Sequence, residues 1–356
     1  MWAIQYQRDN SLSQDYKACK AMNNFISALK GEPHDHIPVW FMRQAGRYMS
    51  EYQELRKLYN IREMCMNPEI TEKITYAPVK LLGVDAAIIF ADIILPLEAM
   101  GYKIDFNSLG PKIENGYRYN RNMKGIHEFD PAELKYRTYD SIRLFRQNHP
   151  GTPIIGFSGG IITVLSYIIS GMSDNNLLYT KQVMLNDNYF ATMKKMIKNM
   201  IIDYVRIQIN AGVDAIQIFD SWLGALSPYT FEKYLKNDVI ELVEEIKSRV
   251  PLIYFSTGTT GMLDQFNDIK PDILSIDWRT KLGDARKILN QDIGLQGNLD
   301  PYLVQYSSDY AMEETHSILS GTRGLDNYIF NLGHGVLPDT NPEILKSITD
   351  FVHSFI

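Results

Sequence analysis

The chain has 356 residues, 45% apolar and 22% charged, with 36 Lys plus Arg against 42 Asp plus Glu and a formal charge of −6. This is the composition of an ordinary globular protein, so disorder, a collagen repeat and a disulfide scaffold are excluded for the chain as a whole. The acidic balance argues against general nucleic-acid binding, and two cysteines, Cys19 and Cys65, suit a reducing compartment and cannot build a cysteine-rich metal site.

Residues 1–20 are polar and irregular and read as a leader ahead of a single unit spanning 21–356. No basic segment followed by an apolar core marks a secretory signal, so a cytoplasmic location is expected. The spacing predicts a helix over 23–30, closed by Gly31. Short apolar runs then recur at 37–42, 86–91, 153–157, 215–219, 252–255, 273–276, 293–296 and 328–332. Each is rich in Ile, Val, Leu or Phe, as buried parallel strands are, and amphipathic segments of helix length separate most of them. In one such segment, 235–248, Leu235, Val239, Leu242, Val243 and Ile246 share a face.

Eight strands alternating with helices predict a single (β/α)₈ TIM barrel. A doubly wound sheet is the alternative, but no G-x-G-x-x-G follows the first strand. Between the second and third strands, 102–106 and 113–119 flank Gly110-Pro111 and read as a hairpin insertion. No Asp, Glu, Lys or Arg occurs between Arg146 and Asp174, which invites a membrane reading. Pro153, Gly156, Gly159 and Gly160 break that stretch into a buried strand and a buried helix over 163–170, capped by Gly171, so no membrane span is expected.

Polar residues stand at the strand ends. They are Arg43, Gln44 and Arg47, then Asp92, then Ser158 with Gly159 and Gly160, then Asp220 and Ser221, then Ser256 and Thr257, then Asp277, then Asn298 and Asp300, and finally His334. In a (β/α)₈ barrel those ends converge on one mouth, which favours an enzyme over a scaffold. The densest group is Met42-Arg43-Gln44-Ala45-Gly46-Arg47-Tyr48. Two arginines four apart suit a loop that holds carboxylates or phosphates through the planar guanidinium fork, although solvated surface arginines would look the same.

With its flank Pro38-Val39-Trp40-Phe41, this group resembles the N-terminal signature of the uroporphyrinogen decarboxylase family. The likeness continues in order through Ile88-Ile89-Phe90-Ala91-Asp92-Ile93, Gly156-Phe157-Ser158-Gly159 with Thr163 and Tyr167, Gln217-Ile218-Phe219-Asp220-Ser221-Trp222, Leu295-Gln296-Gly297-Asn298-Leu299-Asp300-Pro301 and Asn331-Leu332-Gly333-His334-Gly335. Two departures stand out. Gly160-Ile161-Ile162 replaces the family's usual Ala-Pro-Trp, and Ser50 replaces a usual proline.

The resemblance implies a (β/α)₈ barrel that removes the carboxyl groups of the four acetate side chains of uroporphyrinogen III, giving coproporphyrinogen III and four CO₂ in haem biosynthesis. It implies no metal, no organic cofactor and a homodimer. It assigns Asp92 the pyrrole N–H groups and the positive charge that develops on the ring; capping of the next helix is the structural alternative. Arg43 and Arg47 would bind substrate carboxylates, and Gln44, Ala45 and Gly46 would lie beside them, Gln44 with Asp277 also supporting the loops. Tyr167 would reach the departing carboxylate unless it is core, Ser221 would bind a side-chain carboxylate unless it caps a turn, and His334 would bind a carboxylate or move a proton.

Within the fold, a corrinoid or thiol methyltransferase is the rival reading. Such enzymes hold zinc through His and Cys, and no cysteine follows a late strand here. A non-catalytic tetrapyrrole-binding protein is the rival of another class. A phosphate-binding barrel enzyme has only Gly333 to Gly335 in its favour.

Overall fold

The computed structural model of the protein describes residues 23–107 and 110–355; the expected leader over 1–20 lies outside them. Among the described residues nine strands form: β1 (Ala87–Ile88), β2 (Ile104–Asn107), β3 (Gly110–Ile113), β4 (Ile154–Gly159), β5 (Ala215–Asp220), β6 (Leu252–Ser256), β7 (Ile273–Ser275), β8 (Gly294–Gln296) and β9 (Tyr328–Ile329). Seven of them make one parallel sheet in the order β1-β4-β5-β6-β7-β8-β9. Strands covered on both faces have no polar side to keep, and accordingly every residue of β4, β6, β7 and β8 is buried. The helices that return the chain between them are amphipathic; Lys236–Lys247 buries Val239, Leu242, Val243 and Ile246, the face expected from the sequence. A separate helix, Pro228–Tyr234, precedes it and ends at Leu235, whose φ of −134° leaves the helical range.

The sheet curls until residues 38–40 bridge its two edges. Phe330 N–H donates to Pro38 O at 2.9 Å and Trp40 N–H to Phe330 O at 3.4 Å, while Asp85 N–H donates to Val39 O at 2.8 Å on the other side. The fold is TIM-barrel-like. The first strand expected over 37–42 is reduced to the single bridge Val39–Phe330. Side chains take the places of ladder partners there. Val39 N–H is held by the Asp85 carboxylate at 2.7 Å, Phe41 N–H by the Gln44 amide oxygen at 3.1 Å and Met42 N–H by the Asn331 amide oxygen at 3.0 Å.

Several polar groups inside the curled sheet bond to one another. Trp40 Nε1 donates to Gln296 Oε1 at 2.8 Å, and Gln296 Nε2 donates to Ser275 Oγ at 2.9 Å and Gln217 Oε1 at 3.1 Å. Each of these bonds spares a buried group a cost of about 1–3 kcal/mol, and Gln217 Nε2 and Ser158 Oγ are left buried without a partner among the described residues. The expected hairpin has a different return strand. β2 pairs antiparallel with β3, placing Gly110 and Pro111 in the strand instead of the turn, and 114–119 is a run of turns. Pro111 is tolerated because the two strands form a sheet of their own, which leaves an edge free.

A candidate active site at the strand ends

Three aromatic rings lie at equivalent places near the ends of successive strands: Phe157 on β4, Phe219 on β5 and Phe255 on β6. They meet edge to face, with centroids 5.5 Å and 5.9 Å apart, and Phe255 meets the His334 ring at 5.9 Å. These four residues line a cavity of about 830 Å³. The same cavity is lined by Arg43, Ala45, Gly46, Arg47, Arg56, Asp92 and Ser221, and by Asp105, Phe106, Gly110 and Pro111 of the hairpin. An apolar floor beneath a few converging charged groups is the form of a small-molecule site.

Arg43 is the electrostatic centre of this arrangement. Its φ of 58° is left-handed, a costly conformation for a residue with a Cβ. The turn holds it there: Gln44 N–H donates to Phe41 O at 2.9 Å, and Gln44 Nε2 donates to Ala86 O at 3.0 Å. Gln44 is fully buried with both ends of its amide engaged, so it supports the loop and does not face the substrate cavity. Arg43 and Arg47 are exposed to the cavity, and neither has an ion-pair partner among the described residues.

Gly335 lets the Arg43 stem pass. A Cβ there would lie 2.4 Å from Arg43 Cδ and 2.7 Å from Cγ. Gly335→Ala should therefore push the guanidinium aside and raise KM about tenfold, the value of one charge-assisted bond, with a smaller change in kcat. Steady-state kinetics checks this, and an unchanged KM would mean that Arg43 does not bind substrate.

Asp92, four residues beyond the end of β1, lines the cavity. Its Oδ1 accepts the Ile94 N–H at 2.9 Å, so it does form a local turn, while Oδ2 has no partner among the described residues. Desolvation pushes its carboxyl above the usual aspartate range, opposed by the Ile94 N–H and the Arg43 charge. His334 is driven the other way, down to about 4, by burial and by Arg43, with Asp277 opposing and Arg279 reinforcing. It is neutral at pH 7. Its Nδ1 accepts the Gly335 N–H at 2.8 Å, so the proton sits on Nε2 and the ring is a neutral donor.

Tyr167, on the helix Ile161–Ser170, is half-buried and does not line the cavity itself. Burial, then Asp92, raise its phenol, and Arg43 lowers it, which places it within the field of both and keeps it protonated at neutral pH. Ser221 lines the cavity, and its hydroxyl has no partner among the described residues.

Other strand-end residues turn away from the cavity to brace loops. Asp220 is fully buried and accepts Thr163 N–H at 2.9 Å, Thr163 Oγ1 at 2.8 Å and Tyr254 OH at 2.8 Å. Asp277 accepts the Gly258 N–H at 2.7 Å and pairs with Arg279. Asn298 donates to Asp277 O and Thr280 O, and Asp300 caps the helix Pro301–Tyr306.

Sequence reasoning missed Arg56, Asp105 and the three phenylalanines. The phenylalanines left a signal, since each directly precedes a polar strand-end residue, in Phe157-Ser158, Phe219-Asp220 and Phe255-Ser256. Arg56 follows Tyr52 by one helical turn on Ser50–Leu58, and both line the cavity.

Away from the cavity, His36, Asp85 and His353 form one cluster of metal-ligating type among the described residues. His36 Nε2 meets Asp85 Oδ1 at 2.9 Å and His353 Nε2 meets Oδ2 at 2.8 Å. Asn24 Nδ2 lies 2.9 Å from His36 Nδ1, which leaves the His36 proton on Nε2, where a metal would need a bare nitrogen. Hydrogen bonds thus account for the cluster. Although burial opposes it, the bonds from His353 and His36 hold the Asp85 carboxyl below its ordinary range.

Residues 20–355 match the uroporphyrinogen decarboxylase (URO-D) family. The chain belongs to the uroporphyrinogen decarboxylase family. It is 52% identical to the uroporphyrinogen decarboxylase of Picrophilus torridus over 94% of this chain and 99% of that one, and 44% identical to that of Thermoplasma acidophilum over the same shares. Among solved structures it is similar to a methyltransferase from Methanosarcina mazei, with a TM-score of 0.77, 22% identity, and 93% and 98% of the two chains covered. It is also similar to a B12-independent methionine synthase from Shewanella sp., with a TM-score of 0.56, 10% identity, and 80% and 87% covered. Those two likenesses concern the fold. Among the described residues no cysteine lines the cavity, and Cys65 is buried outside it. No helix of the described residues is long and apolar enough to cross a membrane.

Proposed function

We propose that this chain removes the four acetate carboxyl groups of uroporphyrinogen III to give coproporphyrinogen III and four CO₂. The observation that carries the reading is the charge pattern of the cavity. Arg43, Arg47 and Arg56 share the cavity with the strand-end carboxylate Asp92, above an aromatic floor and with Asp105 on the hairpin wall, in a chain whose overall charge is −6. A macrocycle with eight carboxylates and an apolar ring needs cations at its rim and an apolar face beneath it. It also needs one anion at its centre, where the pyrrole N–H groups point.

The substrate is its own electron sink. Protonation of a pyrrole carbon beside the acetate makes the ring cationic. The C–CO₂ bond then breaks, and its electron pair neutralises the ring through the exocyclic methylene. A second proton reaches that methylene to make the methyl group, and the ring proton is returned, so each round consumes one proton net. Asp92, through its unpartnered oxygen, accepts the pyrrole N–H groups and lowers the energy of the cation. Arg43 and Arg47 hold carboxylates by paired hydrogen bonds, each worth about 1.5–3 kcal/mol. The Nε2–H of His334 is a neutral donor beside the reacting acetate, Tyr167 acts from behind the cavity lining through the field it shares with Asp92 and Arg43, and Ser221 bonds a side-chain carboxylate. Ala45 and Gly46 bring backbone close to the substrate at the same rim.

In this reading residues 21–356 form one (β/α)₈ barrel with its mouth at the strand C-terminal ends, and the hairpin after the second strand walls that mouth. The enzyme is cytoplasmic and works without metal or organic cofactor. Two copies pair with mouths facing; the exposed Tyr229 and Tyr302, at the starts of the helices that follow β5 and β8, support a partner on that side.

Incubation with chemically reduced uroporphyrin, followed by chromatography, should yield species with seven, six, five and finally four carboxylates. Exhaustive chelation should leave the rate unchanged. Tight binding without any loss of CO₂ would favour a tetrapyrrole-binding protein, and loss of activity restored by zinc would favour the methyltransferase reading.

A further inference from the structure

Among the cavity residues, Arg62 differs from the other arginines because its charge is already neutralised. It sits on the short helix Ile61–Met66, whose first turn is fixed by a reciprocal cap between Asn60 and Glu63. Its guanidinium pairs with Glu98 Oε1 at 2.6 Å, and Glu98 Oε2 accepts the Tyr136 OH at 2.5 Å. Arg62 also donates to the backbone oxygen of Ile104 in β2 and lies over the Phe106 ring, 5.8 Å from its centroid. One side chain therefore joins the cavity wall, the Glu98-Tyr136 pair and the hairpin strand whose Asp105 and Phe106 line the cavity. β3 has its own tie to the barrel, with Ile113 N–H donating to Gly171 O at 2.8 Å, and on β2 it is Arg62 that holds the Ile104 oxygen.

We infer that Arg62 is a positioning residue that holds the β2–β3 hairpin as the outer wall of the cleft, retaining partly decarboxylated substrate between rounds. The inference rests on the proposed activity, which is stepwise. Each lost CO₂ removes one negative charge, so the pull of Arg43, Arg47 and Arg56 weakens as the reaction proceeds. Retention of the later species then depends on enclosure more than on charge, and the hairpin supplies enclosure. Arg62 leaves the bond-breaking step to the residues around Arg43 and acts on which species escapes.

The test measures products at low conversion, with excess unlabelled uroporphyrinogen added after binding of labelled substrate. Wild-type enzyme must first convert uroporphyrinogen to coproporphyrinogen, and its failure to do so would sink the proposed activity itself. Given that turnover, Arg62→Met should raise the ratio of free seven-, six- and five-carboxylate species to the four-carboxylate product about threefold or more, while uroporphyrinogen disappears at close to the wild-type kcat. Phe106→Ala, on the hairpin itself, should shift the ratio the same way, and Arg62→Lys should recover part of it. An unchanged ratio in Arg62→Met overturns the inference, as does a shift that Phe106→Ala does not share. Should Arg62→Met fail to fold, Glu98→Gln, which weakens the same tie, must give the shift, and its absence there overturns the inference equally.

Discussion

Asp92→Asn is expected to lower kcat by about 10²–10³, the loss of ~2.7–4 kcal/mol of electrostatic stabilisation, with little change in KM. Asparagine has the same shape, and its Oδ1 can still accept the Ile94 N–H that Asp92 accepts at 2.9 Å. The local turn survives, so the substitution separates the charge from the cap. What is lost is the negative charge at the unpartnered oxygen, which faces the cavity. Substrate carboxylates are held by the arginines at the rim, and their binding does not depend on that oxygen. Near-normal turnover would overturn the role.

The pH profile carries the same signature. Desolvation raises the Asp92 carboxyl, with the Ile94 N–H and Arg43 opposing. The active form is the anion, so kcat/KM should fall as pH drops through that raised value, on an acid limb placed above the ordinary aspartate range. Asp92→Asn should lack the limb. Removing the Arg43 charge, as in Arg43→Met, should move it further up, because the positive charge that stabilises the carboxylate is gone.

Asp220→Ala should cost about 3–5 kcal/mol of stability, the result of stranding several buried donors at once. Thr163 N–H, Thr163 Oγ1 and Tyr254 OH all donate to this carboxylate, and the residue is 0% exposed. Thr163 Oγ1 in turn accepts the Trp222 N–H at 3.2 Å, so the defect spreads into the loop after β5. Water can scarcely repair it, since the chain is packed against Asp220 closely enough that a Cβ on Gly160 would meet its Cβ and Cγ at 2.3 Å. Urea unfolding monitored by circular dichroism would show the midpoint fall. Asp220→Asn, which keeps one acceptor oxygen, should fall less, and equal midpoints for wild type and Asp220→Ala would refute the brace. The same contacts fit Gly160 in place of the family's usual alanine, since a Cβ at 160 would run into Asp220, while Thr163 keeps its hydroxyl on that carboxylate.

Much of the molecule was readable before folding was considered. Buried parallel strands must be apolar on both faces, so their runs of Ile, Val, Leu and Phe mark themselves, and seven of the eight expected segments carry strands of the curled sheet. The eighth, around Val39, escaped because its ladder is made by Asp85, Gln44 and Asn331 side chains, which no local pattern announces. The hairpin was placed in the right region, but its return strand was set one segment too late. Gly110-Pro111 reads as a turn by local propensity, while an unshared strand edge allowed proline in the pairing.

At the cavity, the loop carrying Arg43 and Arg47, and the residues Asp92, Ser221 and His334, were legible because each stands where a strand ends. Which strand-end groups act and which merely brace was not legible. Asp92 and Asp220 both follow a strand, yet one leaves an oxygen open to the cavity and the other is closed off by three donors. Arg43 and Arg62 are both cavity arginines, yet only Arg62 has its charge cancelled, by Glu98, a residue 36 positions away. Residue type and local order are properties of the chain, and they determined the family, the layered plan and the set of candidate groups. Charge state, hydrogen-bond partner and exposure depend on distance through space, and only the tertiary structure decided them.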